Sequence, residues 1–321
     1  MDRMERFDSE VAVPGASASA PGMRYVAVRV KSLLRQHAQE DGSWHWRLDP
    51  YEGCQFGCLA CPVRLEREDA AQWRELESKV AVKVNAAQVL RAELHHEDFR
   101  GHPIHLGEQT EAWQHVEEQV RLTRALLGLL AQEDGRELRI STRSSLIARD
   151  GDLLREIARK NHLTVAFSLP SLDEKVNRLV EPRAPSAFRR LAAMEALARL
   201  GVEVGLMVAP VFHGLDDDEL QLKAMLTRAA NAGARFAGIR FFAPAQAVRD
   251  NFLRRVTEAY PEAATRVRRV LGRRTPQPEE LRSLEKGFEL LCRSLGLQLA
   301  EQAQAPRAKR SPAATQLGLF G

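Results

Sequence analysis

An open, partial (β/α)6 barrel with a helical C-terminal extension is the fold this sequence predicts. Three observations carry that expectation. Short β-branched runs alternate with longer amphipathic stretches, which is the pattern of βαβ units and a parallel sheet. About six units can be counted, too few to close an eight-stranded barrel. A knot of cysteines, Cys54-x3-Cys58-x2-Cys61, follows the first strand and so falls on the C-terminal rim where barrel chemistry is placed.

Residues 1–23 read as a disordered leader, 24–245 as the barrel core, 246–300 as the helical extension and 301–321 as a second disordered tail, rich in Ala, Pro and Gln. One strand precedes the cysteines and another lies at 103–107. The run LRIST at 138–142 is the next, followed by a helix opening near Asp150, and LTVAFS at 163–168 follows that. Phe188, Leu191, Met194, Leu197 and Leu200 recur every three residues on a helix that Gly201 stops. A strand at 202–208 is halted by Pro210. The helix at 216–232 opens with acids, as its dipole prefers, and a last strand covers 234–242.

The 321 residues, 44% hydrophobic and 28% charged, have the composition of an ordinary globular chain, with room for one large domain or two modest ones. No apolar run is long enough to span a membrane, and residues 1–23 lack the apolar segment of a secretory signal. A reducing cytoplasm is the expected compartment. A net charge of +4 is too small to argue for nucleic acid by itself. It is unevenly spread: eight arginines between Arg249 and Arg274 face three acids, either a solvated helix face or a phosphate-facing patch.

Four cysteines in so long a chain do not make a disulfide framework. Thiolates are the ligands of iron–sulfur clusters, and a [4Fe–4S] cube takes four of them. Three local ligands would leave one iron open to a second molecule. Structural zinc is the rival, with His45 or Cys292 as fourth ligand, although zinc ligands usually come as two separated pairs. Cys292 sits in the apolar stretch FELLCRSL and reads as a packed hydrophobe.

The cysteine spacing resembles the signature of the radical S-adenosylmethionine (SAM) superfamily. Asp49-Pro50-Tyr51-Glu52-Gly53-Cys54 resembles the Asn-Pro-Tyr-x-Gly-Cys opening of its spore-photoproduct-lyase-like branch. Lys83-Val84-Asn85, Leu106-Gly107 with Thr110-Glu111, Leu122-Thr123-Arg124, Thr142-Arg143-Ser144, Glu181-Pro182-Arg183 and Asn231-Ala232-Gly233 are similar to that branch and stand in the same order. The resemblance implies a [4Fe–4S] cluster on Cys54, Cys58 and Cys61, SAM bound to its open iron, cleavage to a 5′-deoxyadenosyl radical, and an electron donor such as flavodoxin or ferredoxin. It also implies that Thr110, Glu111, Arg143 and Ser168 contact SAM, with Arg143 gripping the methionyl carboxylate; a strand-end salt bridge is the alternative for Arg143.

Several positions depart from that branch. Ala60 stands where an aromatic usually precedes the third cysteine. Thr110-Glu111-Ala112-Trp113-Gln114-His115 replaces Thr-Asp-Pro-Tyr-Gln-Pro, Arg143 replaces a lysine, and a glycine-rich segment is shortened near 273–279. The lyases proper keep a hydrogen-donor cysteine near the second strand, whereas this chain has no cysteine between Cys61 and Cys292. Trp113 and His115 become candidates for a substrate wall, His213 for a rim residue, and Glu181 with Arg183 either for orienting SAM or the substrate or for an internal ion pair fixing the loop.

Gln316-Leu317-Gly318-Leu319-Phe320 resembles the peptide by which bacterial DNA replication and repair proteins dock on the sliding clamp. A flexible tail ending in Leu and Phe suits insertion into a pocket. It links the enzyme class to nucleic acid. Three functions compete: a radical SAM enzyme, a zinc-binding protein on the same scaffold, and a degenerate homologue serving as a DNA-repair-associated binding partner.

Overall fold

Hydrophobic alternation along six parallel strands builds the body of the chain. The computed structural model describes residues 4–5, 13, 22–38, 43–61, 63, 75–211, 219–242, 250 and 278–303, with isolated positions between 253 and 268. In chain order the elements are β1 (Met4–Glu5), β2 (Arg24–Val30), β3 (Leu34–Ala38), β4 (Trp44–Leu48), β5 (Tyr51–Glu52) and β6 (Lys79–Lys83). Then come α1 (Ala86–His95), β7 (Ile104–Leu106), α2 (Leu122–Leu130), β8 (Glu137–Thr142), α3 (Gly151–Lys160) and β9 (His162–Ser168). The remainder is α4 (Glu174–Val180), α5 (Ala187–Arg199), β10 (Glu203–Val211), α6 (Glu219–Asn231), β11 (Phe236–Phe241), α7 (Pro278–Ser294) and β12 (Gln298–Leu299).

The large sheet has the order β12-β11-β10-β9-β8-β7-β4-β3. Every neighbouring pair in it is parallel except β3 with β4. The expected strands β4 and β7 to β11 are therefore all present, with β3 and β12 added at the edges. A small second sheet, β1-β2-β6-β5, holds the chain on either side of the cysteines. Met4–Glu5, inside the expected leader, pair antiparallel with Arg29 and Val30.

The pleat sorts the large sheet's two faces. Trp46, Leu48, Ile104, Leu106, Leu138, Ile140, Leu163, Val165 and Phe167 point toward Leu126, Leu154, Ile157, Met194 and Leu197 of the helices in one continuous core. Their strand neighbours point the other way. These are His45, Arg47, His105, Arg139, Ser141, Thr164 and Ser168, so the inner face is polar over β4 to β9. Toward β11 that face turns apolar, where Ala166 and Phe236 pack with Ala300 and Ala303.

Two expectations need correcting. The strand at 202–208 does not stop at Pro210; β10 runs to Val211, with a register shift between Val208 and Val211. Its pairing to β9 ends at Met207, so the missing proline N–H falls beyond that ladder. On α5 the three-residue spacing drifts off the core stripe: Met194 and Leu197 are buried, but Phe188 is 77% exposed. Cα geometry there follows a 3.6-residue turn, and Ala187, Arg190 and Ala193 fill the buried positions instead.

Candidate active site at the barrel rim

The cysteine loop is pinned from both sides. Asp49, just past β4, accepts hydrogen bonds from the Gln109 and Thr110 amides at 3.2 and 3.1 Å, while Lys83 Nζ donates to the Asp49 carbonyl at 2.6 Å. Gly53 adopts φ +76°, and a Cβ there would collide with the Lys79 carbonyl. The Cys54 amide donates to the Leu76 carbonyl at 2.8 Å and the Leu59 amide to the Val180 carbonyl at 2.8 Å. Gln55 and Gln114, both buried, lace the loop to the second-strand segment: Gln55 N donates to Gln114 Oε1 and Val116 N to Gln55 Oε1, each at 3.0 Å. Gly57, at φ +65°, leaves space that the Arg183 guanidinium and Glu77 carboxylate fill. Nothing in the local sequence announced Gln55, or that Arg183 would reach Glu77 across the loop.

Cys54, Cys58 and Cys61 are unpaired thiols on this loop, close enough for their charges to interact. Burial pushes the Cys54 thiol up to about 11, against backbone N–H groups of Phe56 and Glu111 that favour the thiolate. Burial and the Glu181 carboxylate lift Cys58 well above its ordinary value, while Arg143 pulls the other way. Such thiols stay protonated at neutral pH until a metal takes the proton's place. Backbone donors already aimed at Cys54 suit a ligating sulfur, so the loop fits an iron–sulfur cluster on three thiolates. Cys292 is fully buried on α7 beside Phe288 and lies in the core, not with the loop.

Around the thiols the strand ends supply a charged rim. Glu111 is buried and fully engaged: Oε1 accepts from the Trp113 amide at 3.0 Å and Thr142 Oγ1 at 2.8 Å, and Oε2 accepts from the Arg143 amide at 2.7 Å. Arg143 Nε donates to Glu181 Oε1 at 2.6 Å, and Arg190 NH1 stands 2.6 Å from Glu181 Oε2. Arg143 thus forms the strand-end salt bridge, with one edge of its guanidinium used. Arg190 is 1% exposed and also donates to the Ser168 carbonyl at 2.7 Å. Ser168 Oγ donates to the Ala209 carbonyl at 2.9 Å; Thr110 Oγ1 lies 3.4 Å from Asp49 Oδ1 and 3.3 Å from the Tyr51 carbonyl.

Other expectations are corrected here. Trp113 is 1% exposed, with its indole N–H donating to Asp150 Oδ2 at 2.9 Å, so it is a core brace and not a substrate wall. Glu181 and Arg183 do not pair with each other; Arg183 reaches Glu77 at 2.5 Å and the Gln55 carbonyl, because the loop lies between them. His45 turns from the cysteines toward Glu108, its Nε2 2.6 Å from Oε2, which removes it as a local partner of the thiols. His115 remains near the loop, its ring 5.6 Å from Phe56, and burial lowers its pKa. His213, most of the arginine-rich stretch and Gln316–Phe320 lie outside the described residues. No helix among the described residues is long and apolar enough to cross a membrane.

Six parallel strands with helices outside, a thiol loop after the first of them and ion-paired arginines on the same rim define an α/β barrel enzyme scaffold. The chain belongs to the Radical SAM superfamily, which residues 48–226 match; it is an enzyme of that family. Uncharacterised proteins of Mycobacterium bovis and Mycobacterium tuberculosis are 30% identical over 266 residues, covering 82% of this chain and 78% of theirs. One from Methanocaldococcus jannaschii is 25% identical over 174 residues, 54% of this chain and 62% of its own. Among solved structures, spore photoproduct lyase complexed with dinucleoside spore photoproduct superposes with a TM-score of 0.64 at 16% identity, over 89% of this chain and 86% of that one. A form of that lyase with bound AdoMet gives 0.63 at 15% identity with the same coverage. At these identities the likeness is one of fold.

Proposed function

We propose that Cys54, Cys58 and Cys61 hold a [4Fe–4S] cluster and that the enzyme cleaves SAM reductively to start a radical reaction. The observation that carries this is three half-buried thiols, with charges close enough to interact, on one pinned loop at the rim, in a chain of this superfamily. When bound, such a cluster supplies an electron and an open iron for the amino and carboxylate groups of SAM. The protein's own part is positioning. Glu111 fixes the backbone that presents Arg143; Glu181 holds the Arg143 side chain over the loop beside Cys58. The guanidinium edge not taken by Glu181 is suited to a carboxylate, in a bidentate manner lysine cannot copy. Thr110 and Ser168, at the ends of the neighbouring strands, line the same rim and would border the nucleoside.

The polar inner face, from His45 to Ser168, is where a substrate would meet the radical. The lyase of similar fold was solved with a dinucleoside spore photoproduct, which makes nucleic acid a substrate class to test here. The missing cysteine between Cys61 and Cys292 argues against the lyase reaction itself. The reductant would be a small flavin or iron–sulfur protein such as flavodoxin or ferredoxin. The clamp-like tail receives no support from the relatives or neighbours above.

Anaerobic reconstitution tests the proposal. The protein should hold about four irons and four sulfides, as a cubane requires, and release 5′-deoxyadenosine from SAM with a reductant. Zinc without labile sulfide would establish the structural-zinc alternative; a full cluster without 5′-deoxyadenosine would establish the degenerate one.

A further inference from the structure

A second cluster of metal-ligating side chains stands apart from the cysteine loop on the inner face. His45 on β4, His105 on β7 and Glu108 just beyond β7 bring their ligand atoms within 4.8 Å of one another. The sheet register causes this: Arg47 pairs with His105, so His45 lies one inward position back along the adjacent strand. Gly107, at φ +81°, turns the chain after β7 and lays Glu108 back over β4; a Cβ at Gly107 would meet the Ser141 carbonyl at 2.5 Å. His37, opposite His45 on β3, has Nε2 3.8 Å from Glu108 Oε1.

We propose that His45, His105 and Glu108 bind one divalent first-row transition ion. Two imidazoles and a carboxylate are a recurrent donor set for zinc and ferrous iron. Ser141 Oγ lies 2.8 Å from His105 Nε2, so an N–H donated there leaves Nδ1 as the lone pair facing Glu108 Oε2, 3.9 Å away. A partner on the second ring nitrogen is the usual means of orienting a metal-bound histidine. Tetrahedral ligands at zinc distances sit about 3.3 Å apart. For the two histidine–carboxylate pairs, bringing 3.9 Å in and letting 2.6 Å out reaches that with changes below an ångström, and all three ligand atoms already lie within 4.8 Å of one another.

Arg47 is the competitor. Its Nε donates to Glu108 Oε2 at 2.8 Å and its NH2 lies 2.7 Å from His37 Nε2. Being partly exposed, it has room to move to the carboxylate's other oxygen when an ion takes Oε2. The proposal does not depend on the cluster reading, and zinc as probe keeps the two separate, since iron and sulfide report the cluster.

The full-length protein, reconstituted anaerobically, is equilibrated with Zn2+ and assayed for zinc, iron and sulfide, with X-ray absorption at the zinc edge. About one zinc per chain is expected in a nitrogen and oxygen shell near 2.0–2.1 Å. His105→Ala and Glu108→Gln should weaken it at least about tenfold with iron unchanged. Arg47→Gln removes the competing cation and should tighten zinc by about tenfold, a gain that misfolding cannot mimic. No saturable zinc, a sulfur shell near 2.3 Å, or an affinity that Arg47→Gln leaves unchanged would overturn the site.

Discussion

Glu111→Gln tests whether the rim is held by one buried carboxylate. Both oxygens accept hydrogen bonds, and two of the three donors are backbone amides that cannot turn away: Trp113 and Arg143. An amide can face only one of them with its oxygen. The better orientation keeps Trp113 and Thr142 on the oxygen and sets the new NH2 against the Arg143 N–H, two donors in contact. Losing one bond to a charged acceptor in a buried site costs about 1.5–3 kcal/mol. Burial pushes the Glu111 carboxyl above its ordinary range, so removing the charge recovers part of its desolvation and places the net cost near the lower end, about 1.5 kcal/mol. Urea unfolding of the anaerobic apoprotein should show a lower midpoint with an unchanged slope. Iron loading should fall too, because the Glu111 amide faces Cys54. A stability change below about 0.5 kcal/mol, in the range of neutral surface substitutions, would refute the argument that Glu111 organises this rim.

The thiols and their surroundings give three further outcomes. Cys54→Ala, Cys58→Ala and Cys61→Ala should each abolish iron and sulfide binding, while Cys292→Ala keeps the cluster and lowers thermal stability, as a small cavity in the α7 core would; metal analysis beside melting curves checks both. Arg143→Ala should weaken SAM binding by about 1.5–3 kcal/mol, roughly ten- to hundredfold, by equilibrium dialysis, and Arg143→Lys should recover only part of it; unchanged affinity would leave Arg143 as a partner of Glu181 alone. Trp113→Phe should destabilise the fold by about 1–3 kcal/mol through loss of the indole's bond to the buried Asp150 carboxylate, which Arg124 and Arg149 still pair, with SAM binding intact once folded.

The sequence by itself determined the alternation of strands and helices, because a half-buried strand and an amphipathic helix each write their period into neighbouring residues. It also determined the thiol loop, since three cysteines within eight residues need no long-range contact to be recognised. Cys292 read correctly as a packed residue for the same local reason. Pairing was decided only in the tertiary structure. Arg143 meets Glu181 across 38 residues and Arg183 meets Glu77 across 106, distances over which no spacing rule operates. Trp113, in a variable-looking stretch, became a core brace because Asp150 from the next unit reaches its indole. The polar inner face was written in the strands as His45-x-Arg47 and Arg139-x-Ser141. Until register set β4 beside β7, nothing told which of those side chains would meet, and the gathering of His45, His105 and Glu108 belongs to the sheet rather than to any one segment of the chain.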